Sequence, residues 1–217
     1  MSSSTSLDDS ADDRNRALTR LALSIRSCRA CPGMNILGST ESSPAYGDPS
    51  SPIVFVGQSL CHACMASQIP FTGGSGRFLD AALEKAGVSK RLVFTTNVVH
   101  CHPPKNRPSK PHEIANCSPF LATELSLVAP ELVVGLGRDA CTWLAGHYSR
   151  ASWEWTPQTP EVPRGGVKTG LFYTQHPAYI MRQPVTIREL YVDELATAIK
   201  WAFRYRGQPT AHSDVRG

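Results

Sequence analysis

The chain has no apolar run approaching the ~20 residues that a membrane-crossing helix requires. Its most apolar stretch, Leu125 to Gly137, is interrupted by Pro130 and Glu131. The first residues are rich in Ser and Asp. They lack both a basic start and an apolar core, so no export signal is expected, and the expected location is cytoplasmic. Residues 1–13 carry Asp8, Asp9, Asp12 and Asp13 but no Lys or Arg. Charge is sparse, at 18% of residues, against 41% hydrophobic. That balance, over 217 residues, suits one folded body with a sizeable core. Membrane-spanning, collagenous, wholly disordered and secreted disulfide-scaffold classes are therefore excluded. No internal repeat is visible.

The net charge of +4 comes from 22 Lys and Arg against 18 Asp and Glu. With the acidic start set aside, the remainder is more basic still. A basic body permits nucleic-acid binding without requiring it. The candidate phosphate contacts are Lys105, Arg107, Lys110, Arg138, Arg164, Lys168, Arg182 and Arg188.

Residues 1–13 read as a disordered acidic tail, 14–206 as one domain and 207–217 as a flexible tail. Within the domain, residues 14–27 suggest an amphipathic helix with Leu18, Leu21, Leu23 and Ile25 as its apolar set. Ile53–Val56, Leu92–Asn97, Leu132–Leu136 and Leu171–Thr174 read as four buried strands. Helical patterns fall at Arg77–Ala86, 112–128, Asp139–Leu144 and 186–205. Strands alternating with helices predict a three-layer α/β/α fold around a mainly parallel four-stranded sheet. In such sheets the site lies beyond the C-terminal ends of the strands. The segments there are Gly57–Gly76, Asn97–Pro111, Gly137–Arg138 and Gln175–Arg182.

Seven cysteines, on a chain without an export signal, favour thiols or metal ligands over disulfides. Cys28 and Cys31 form a CxxC pair, and Cys101 and Cys117 supply two further thiols. Four thiolates hold an iron–sulfur cluster or a tetrahedral zinc. Cys61 and Cys64 form a second CxxC, so spacing alone leaves a zinc-ribbon set of Cys28, Cys31, Cys61 and Cys64 open. Cys141, in the middle of a predicted helix, reads as a small buried hydrophobe.

Several stretches together resemble the uracil-DNA glycosylase superfamily, most closely its iron–sulfur-containing family 4. They are Cys28-Arg-Ala-Cys31, Ile53-Val-Phe-Val-Gly57, Pro70-Phe-Thr-Gly-Gly-Ser-Gly-Arg77, Thr96-Asn-Val-Val-His-Cys-His-Pro-Pro104, Cys117 and His176-Pro-Ala-Tyr-Ile-Met-Arg182. The resemblance implies a four-iron four-sulfur (4Fe-4S) cluster on Cys28, Cys31, Cys101 and Cys117, with a structural role. It implies a DNA partner, a monomer and a pyrimidine nucleotide turned out of the stack into a pocket. Phe71 matches the aromatic that stacks on the base, and Asn97 the amide that reads its edge. Gly57 and Cys61 line the base pocket. His176 matches the donor to the pyrimidine O2 as the base leaves. Gly74 and Ser75 suit a phosphate. Tyr179, Ile180, Met181 and Arg182 fall where a loop wedges into DNA.

The first motif departs from the family. Family 4 has Gly-Glu-Ala-Pro-Gly followed by an acidic pair; here Gln58 replaces the glutamate and Cys64-Met65 the pair. Ser59 stands where family 1 has an aspartate. An amide or hydroxyl orients water but cannot accept its proton at neutral pH. One expectation is an active enzyme on uracil, with water placed by Gln58, Ser59 or His62. A second is a wall opened by Cys61 and Cys64 that admits a C5-modified cytosine, as in phage DNA, for antiviral defence. The alternatives are a catalytically silent DNA-binding member and a cluster-bearing redox sensor with Cys61 and Cys64 as a reactive dithiol.

Overall fold

The computed structural model describes residues 5–148, 152–159 and 169–206. The expected tail at 207–217, and Arg164 and Lys168, lie outside the described residues. Five strands form one sheet: β1 Ile53–Ser59, β2 Phe94–Val99, β3 Leu132–Leu136, β4 Ser152–Glu154 and β5 Thr169–Thr174. Their order is β2-β1-β3-β5-β4, and every pairing is parallel. The sheet thus has one strand more than the four expected. The addition, β4, is a three-residue edge strand whose residues are half-buried or exposed, so it carries no apolar signature.

The central strand explains the layering. On β1, Ile53 and Phe55 pack into one core with Leu79, Leu83, Leu195 and Ile199, from α3 Arg77–Ala86 and α7 Val185–Arg206. Val54 and Val56 pack into the other with Leu121, Leu125 and Leu144, from α4 Pro111–Val128 and α5 Arg138–His147. Alternate residues of a strand point to opposite faces, so a continuous apolar run is what a doubly covered strand needs. Trp153 and Trp155, whose role the sequence left unread, lie against Trp201 of α7, at ring centroid distances of 5.9 and 5.7 Å.

The first helix, α1, runs from Thr5 to Ser27, so it begins well before residue 14 and takes in most of the segment expected to be a disordered tail. Alternating short acidic and basic side chains, such as the Asp13–Arg16 ion pair, suit an exposed helix face. Ile25 is buried, whereas Leu23 is exposed and does not join the apolar set. Asn35 ends this helix: its Nδ2 donates to the carbonyls of Ile25, Arg26 and Cys28 at 3.3, 3.0 and 2.8 Å. That cap also positions Cys28. Two short helices escaped the sequence reading, α2 His62–Ser67 and α6 Pro177–Ile180. Each is too brief to show a helical period.

A buried polar network ties β2 to α4. Thr96 Oγ1 donates to Glu124 Oε2 at 2.6 Å, and His100 Nε2 lies 3.1 Å from Glu124 Oε1. Burial pulls the His100 pKa down, but the Glu124 carboxylate, with Cys117 beside it, overrides this and lifts the value to about 10. The pair is therefore imidazolium and carboxylate. Its stabilisation is complete below the ordinary histidine pKa of about 6.5 and is lost as pH rises through about 10. Glu124→Ala should cost about 3–5 kcal/mol near neutral pH, because the buried ion pair is lost and Thr96 and His100 lose their shared partner. Urea unfolding across a pH series should show that deficit shrinking on the alkaline side.

Candidate active site

Strand pairing brings the site together. Gly57 on β1 stands opposite Asn97 on β2. Asn97 is buried, at 4% exposure. A Cβ added at Gly57 would fall 2.5 Å from Asn97 Oδ1 and 2.6 Å from Phe71 Cζ. Glycine is therefore what lets the amide and the ring close over this strand.

Phe71 sits in the left-handed region, with φ of 58°. A non-glycine residue holds that backbone only where its surroundings enforce it. Two contacts do so. Lys90 Nζ donates to the Phe71 carbonyl at 2.8 Å while also pairing with Asp80 at 2.8 Å. Gly76 presses on the same carbonyl, where a Cβ would lie 1.9 Å from the oxygen.

His176 follows β5 and caps α6. Its Nδ1 accepts from the Ala178 N–H at 3.1 Å. The proton of the neutral ring is therefore on Nε2, which is left as a donor. Burial lowers the His176 pKa, against a smaller upward pull from Asp139. Gly137 makes room behind the ring, since a Cβ there would lie 2.8 Å from His176 Cβ. The Tyr191 hydroxyl donates to the Gln175 carbonyl at 3.0 Å and fixes the end of the strand.

One cavity of about 220 Å³ joins these parts. Ser59, Cys61, Phe71, Gly74, Ser75, Asn97 and His176 all line it. Gln58 does not line it, and Gly57 lies beneath the ring and the amide. His62, Cys64, Thr72 and Asn106 complete the wall. Asn106 was not singled out in the sequence; its Oδ1 accepts from the His62 N–H at 3.4 Å, and its φ of 54° is a conformation asparagine tolerates. Among the described residues, no Asp or Glu lines the cavity.

The segment after β1 brings a correction. Cys61 and Cys64 form a disulfide rather than two small thiols, and together they close the first turn of α2. Cys64 is buried and Cys61 half-buried, so a covalent turn fills the wall expected to be open.

The wedge segment divides. Tyr179 and Met181 are exposed, at 47% and 38%, whereas Ile180 is buried in the core beneath them. Arg182 is exposed, as are Lys105, Lys110 and Arg138. Arg107 is engaged elsewhere: its two terminal nitrogens fork onto the Glu113 carboxylate, and Nη2 also reaches Met34 Sδ at 3.9 Å. That guanidinium holds Glu113 below the ordinary glutamate range. A wider groove of about 780 Å³ runs between α3 and α7 past Arg77 and Arg188, away from these groups.

Of the five remaining cysteines, Cys141 lies on α5 against the Gly135 carbonyl, and the other four gather beyond β2. Cys28, Cys31, Cys101 and Cys117 are all free. Cys31, Cys101 and Cys117 pack around Met34. Cys28 acts electrostatically on both Cys31 and Cys101. Burial, then the neighbouring sulfurs, pushes the Cys101 thiol up to about 12. Asn116 Nδ2 donates to Cys31 Sγ at 3.3 Å. Among the described residues, no group of three or more His, Cys, Asp or Glu is set to hold a metal ion. Also among them, no helix is long and apolar enough to cross a membrane.

A profile of the uracil DNA glycosylase superfamily matches residues 44–200. A Type-4 uracil-DNA glycosylase of Archaeoglobus fulgidus is 31% identical over 183 residues, covering 81% of this chain and 88% of its own. Another, from Pyrobaculum aerophilum, is 28% identical over 179 residues, covering 81% and 90%. A Type-5 uracil-DNA glycosylase of Thermus thermophilus is 36% identical over 121 residues, covering 48% and 54%. The matched span takes in the whole sheet, the cavity and the histidine beyond β5, and on that ground the chain belongs to the uracil-DNA glycosylase superfamily.

Proposed function

We propose that this protein is a monofunctional DNA glycosylase that turns uracil out of DNA and hydrolyses its N-glycosidic bond, leaving an abasic site. The observation that carries this reading is the meeting of the Phe71 ring, the Asn97 amide and the Nε2–H of His176 around one cavity. A flipped pyrimidine stacks on the ring. The Asn97 carboxamide offers both an acceptor for uracil N3–H and a donor for O4. As the bond from C1′ to the base breaks, its electron pair moves into the ring and charge grows on O2. A fixed Nε2–H donor stabilises that charge more than it stabilises the ground state. A neutral imidazole suits this role, and burial favours the neutral form of His176. The sugar passes through an oxocarbenium-like state, which lowers the demand on the attacking water. Ser59 lines the cavity and orients that water; Gln58 supports the strand beside it.

DNA reaches the cavity past Tyr179 and Met181, which suit insertion into the stack. Gly74 and Ser75 offer backbone N–H groups to a phosphate, and Arg182 adds charge. The protein acts as a monomer. Uracil is favoured over a C5-modified cytosine because the closed Cys61–Cys64 turn stands in the wall where a C5 substituent would need space.

Cys28, Cys31, Cys101 and Cys117 fit a 4Fe-4S cluster. Four free sulfurs come from three separate segments, and burial and neighbouring charge disfavour ionisation of Cys31 and Cys101 unless a cation stands among them. Ligands of a polynuclear cluster stand on its corners, farther apart than the ligands of one ion. Such a cluster supplies no step of the reaction; it ties the end of α1 to the loop after β2 and to α4. Purified protein should be brown, and Cys101→Ser should bleach it and lower its melting temperature.

Duplexes carrying uracil or glucosylated hydroxymethylcytosine, followed by alkaline cleavage of abasic sites, test the substrate. Strand breaks on uracil DNA are expected; breaks on the modified duplex alone would move the reading to defence against phage, and breaks on neither would leave a DNA-binding protein. His176→Ala and Asn97→Ala should each lower the single-turnover rate by about 100- to 1000-fold. Gly57→Ala should reduce it too, by displacing the ring and the amide; unchanged excision in all three would remove the cavity from consideration.

A further inference from the structure

The cavity lacks the carboxylate that water activation usually needs, and the structure points to its replacement. Among the described residues, two titratable side chains line the cavity, His62 and His176, since Cys61 and Cys64 are joined to each other. His176 is already committed. Its Nδ1 holds the Ala178 N–H, so Nε2 carries the proton and faces the leaving base as a donor. Asp139 acts on His176 from α5 but does not line the cavity. Ser59 has no basicity for the task. His62 alone remains with a ring nitrogen able to take a proton.

His62 is also held in place. It lies inside the four-residue ring closed by Cys61 and Cys64, at the first position of α2. Its N–H is bound by Asn106 Oδ1 at 3.4 Å. Its ring stands 5.6 Å from that of His102, centroid to centroid. His102 is buried, and its Nδ1–H donates to the Leu60 carbonyl at 2.9 Å, which leaves Nε2 as the only ring position for a lone pair. The groups facing His62 are thus His102 from the segment after β2 and His176 across the cavity, and none is a carboxylate.

We propose that His62 is the general base of this enzyme. Resting on the glycosylase reading, the step is as follows. The water oxygen bonds to C1′ as the bond from C1′ to the pyrimidine nitrogen breaks. The departing electron pair settles on the base, held at O2 by His176 Nε2–H. One water proton passes to the His62 imidazole and is later released to solvent. The Cys61–Cys64 turn and Asn106 hold the His62 backbone and His102 stands beside its ring, so the base is a histidine on a stapled loop in place of a carboxylate on the strand.

Single-turnover excision from uracil-containing single-stranded DNA tests this, with wild type, His62→Gln and His62→Ala compared in the presence and absence of imidazole. His62→Gln keeps polarity and approximate size but cannot accept a proton. Loss of about 100- to 10,000-fold in rate is expected. Added imidazole should restore part of the activity of His62→Ala. Melting temperature and binding to DNA carrying a non-cleavable 2′-fluoro-deoxyuridine should match the wild type. A His62→Gln rate within threefold of wild type overturns the assignment, and so does a slow His62→Ala that added imidazole leaves unchanged. A wild-type protein inactive on uracil DNA defeats the parent reading instead.

Discussion

A glycine facing an asparagine across two parallel strands is the contact on which the site depends. The β1–β2 register sets Gly57 against Asn97, and the missing Cβ lets the amide and the Phe71 ring approach to a distance no other residue permits. The strands are fixed in turn by apolar layers on both faces. A slip of one residue would turn Asn97 into the opposite layer and remove the amide from the cavity. Packing and recognition are therefore one constraint at this position.

Around that contact, different elements supply different capacities. The loop after β1 brings the ring in a strained backbone, held by Lys90 and Gly76. The segment after β5 brings an imidazole whose tautomer is set by one backbone N–H. The cysteines Cys28, Cys31, Cys101 and Cys117 lie behind β2, outside the cavity, where they bind three chain segments together. Stability and chemistry are thus placed on opposite sides of the strand that carries Asn97.

Much of this was legible in the residues. Ile53–Val56 read as a buried strand because both its faces need apolar side chains, and Arg77–Ala86 as a helix because Phe78, Leu79, Ala82 and Leu83 recur at helical spacing and Gly87 ends it in a left-handed turn. Placing the site beyond the strand ends followed from the parallel topology. What escaped has physical reasons. Ser152–Glu154 is a short edge strand without an apolar face. The polarity of the first residues suggested disorder, though α1 begins at Thr5. Cys61 and Cys64 read from the sequence as thiols or metal ligands, and only the geometry of the turn showed a disulfide. Ile180 lies between two exposed neighbours because one turn of helix puts it underneath, and four residues are too few to show that period.

The imidazole at the end of β5 is anchored from far along the chain. Tyr191, in the closing helix, grips the carbonyl of Gln175, the residue just before His176. The ring and the amide belong to segments made much earlier. The closing helix therefore does two jobs at once: it roofs the core beneath β1 and fixes the backbone that presents the imidazole, so that its loss would strip support from the strand and from His176 together.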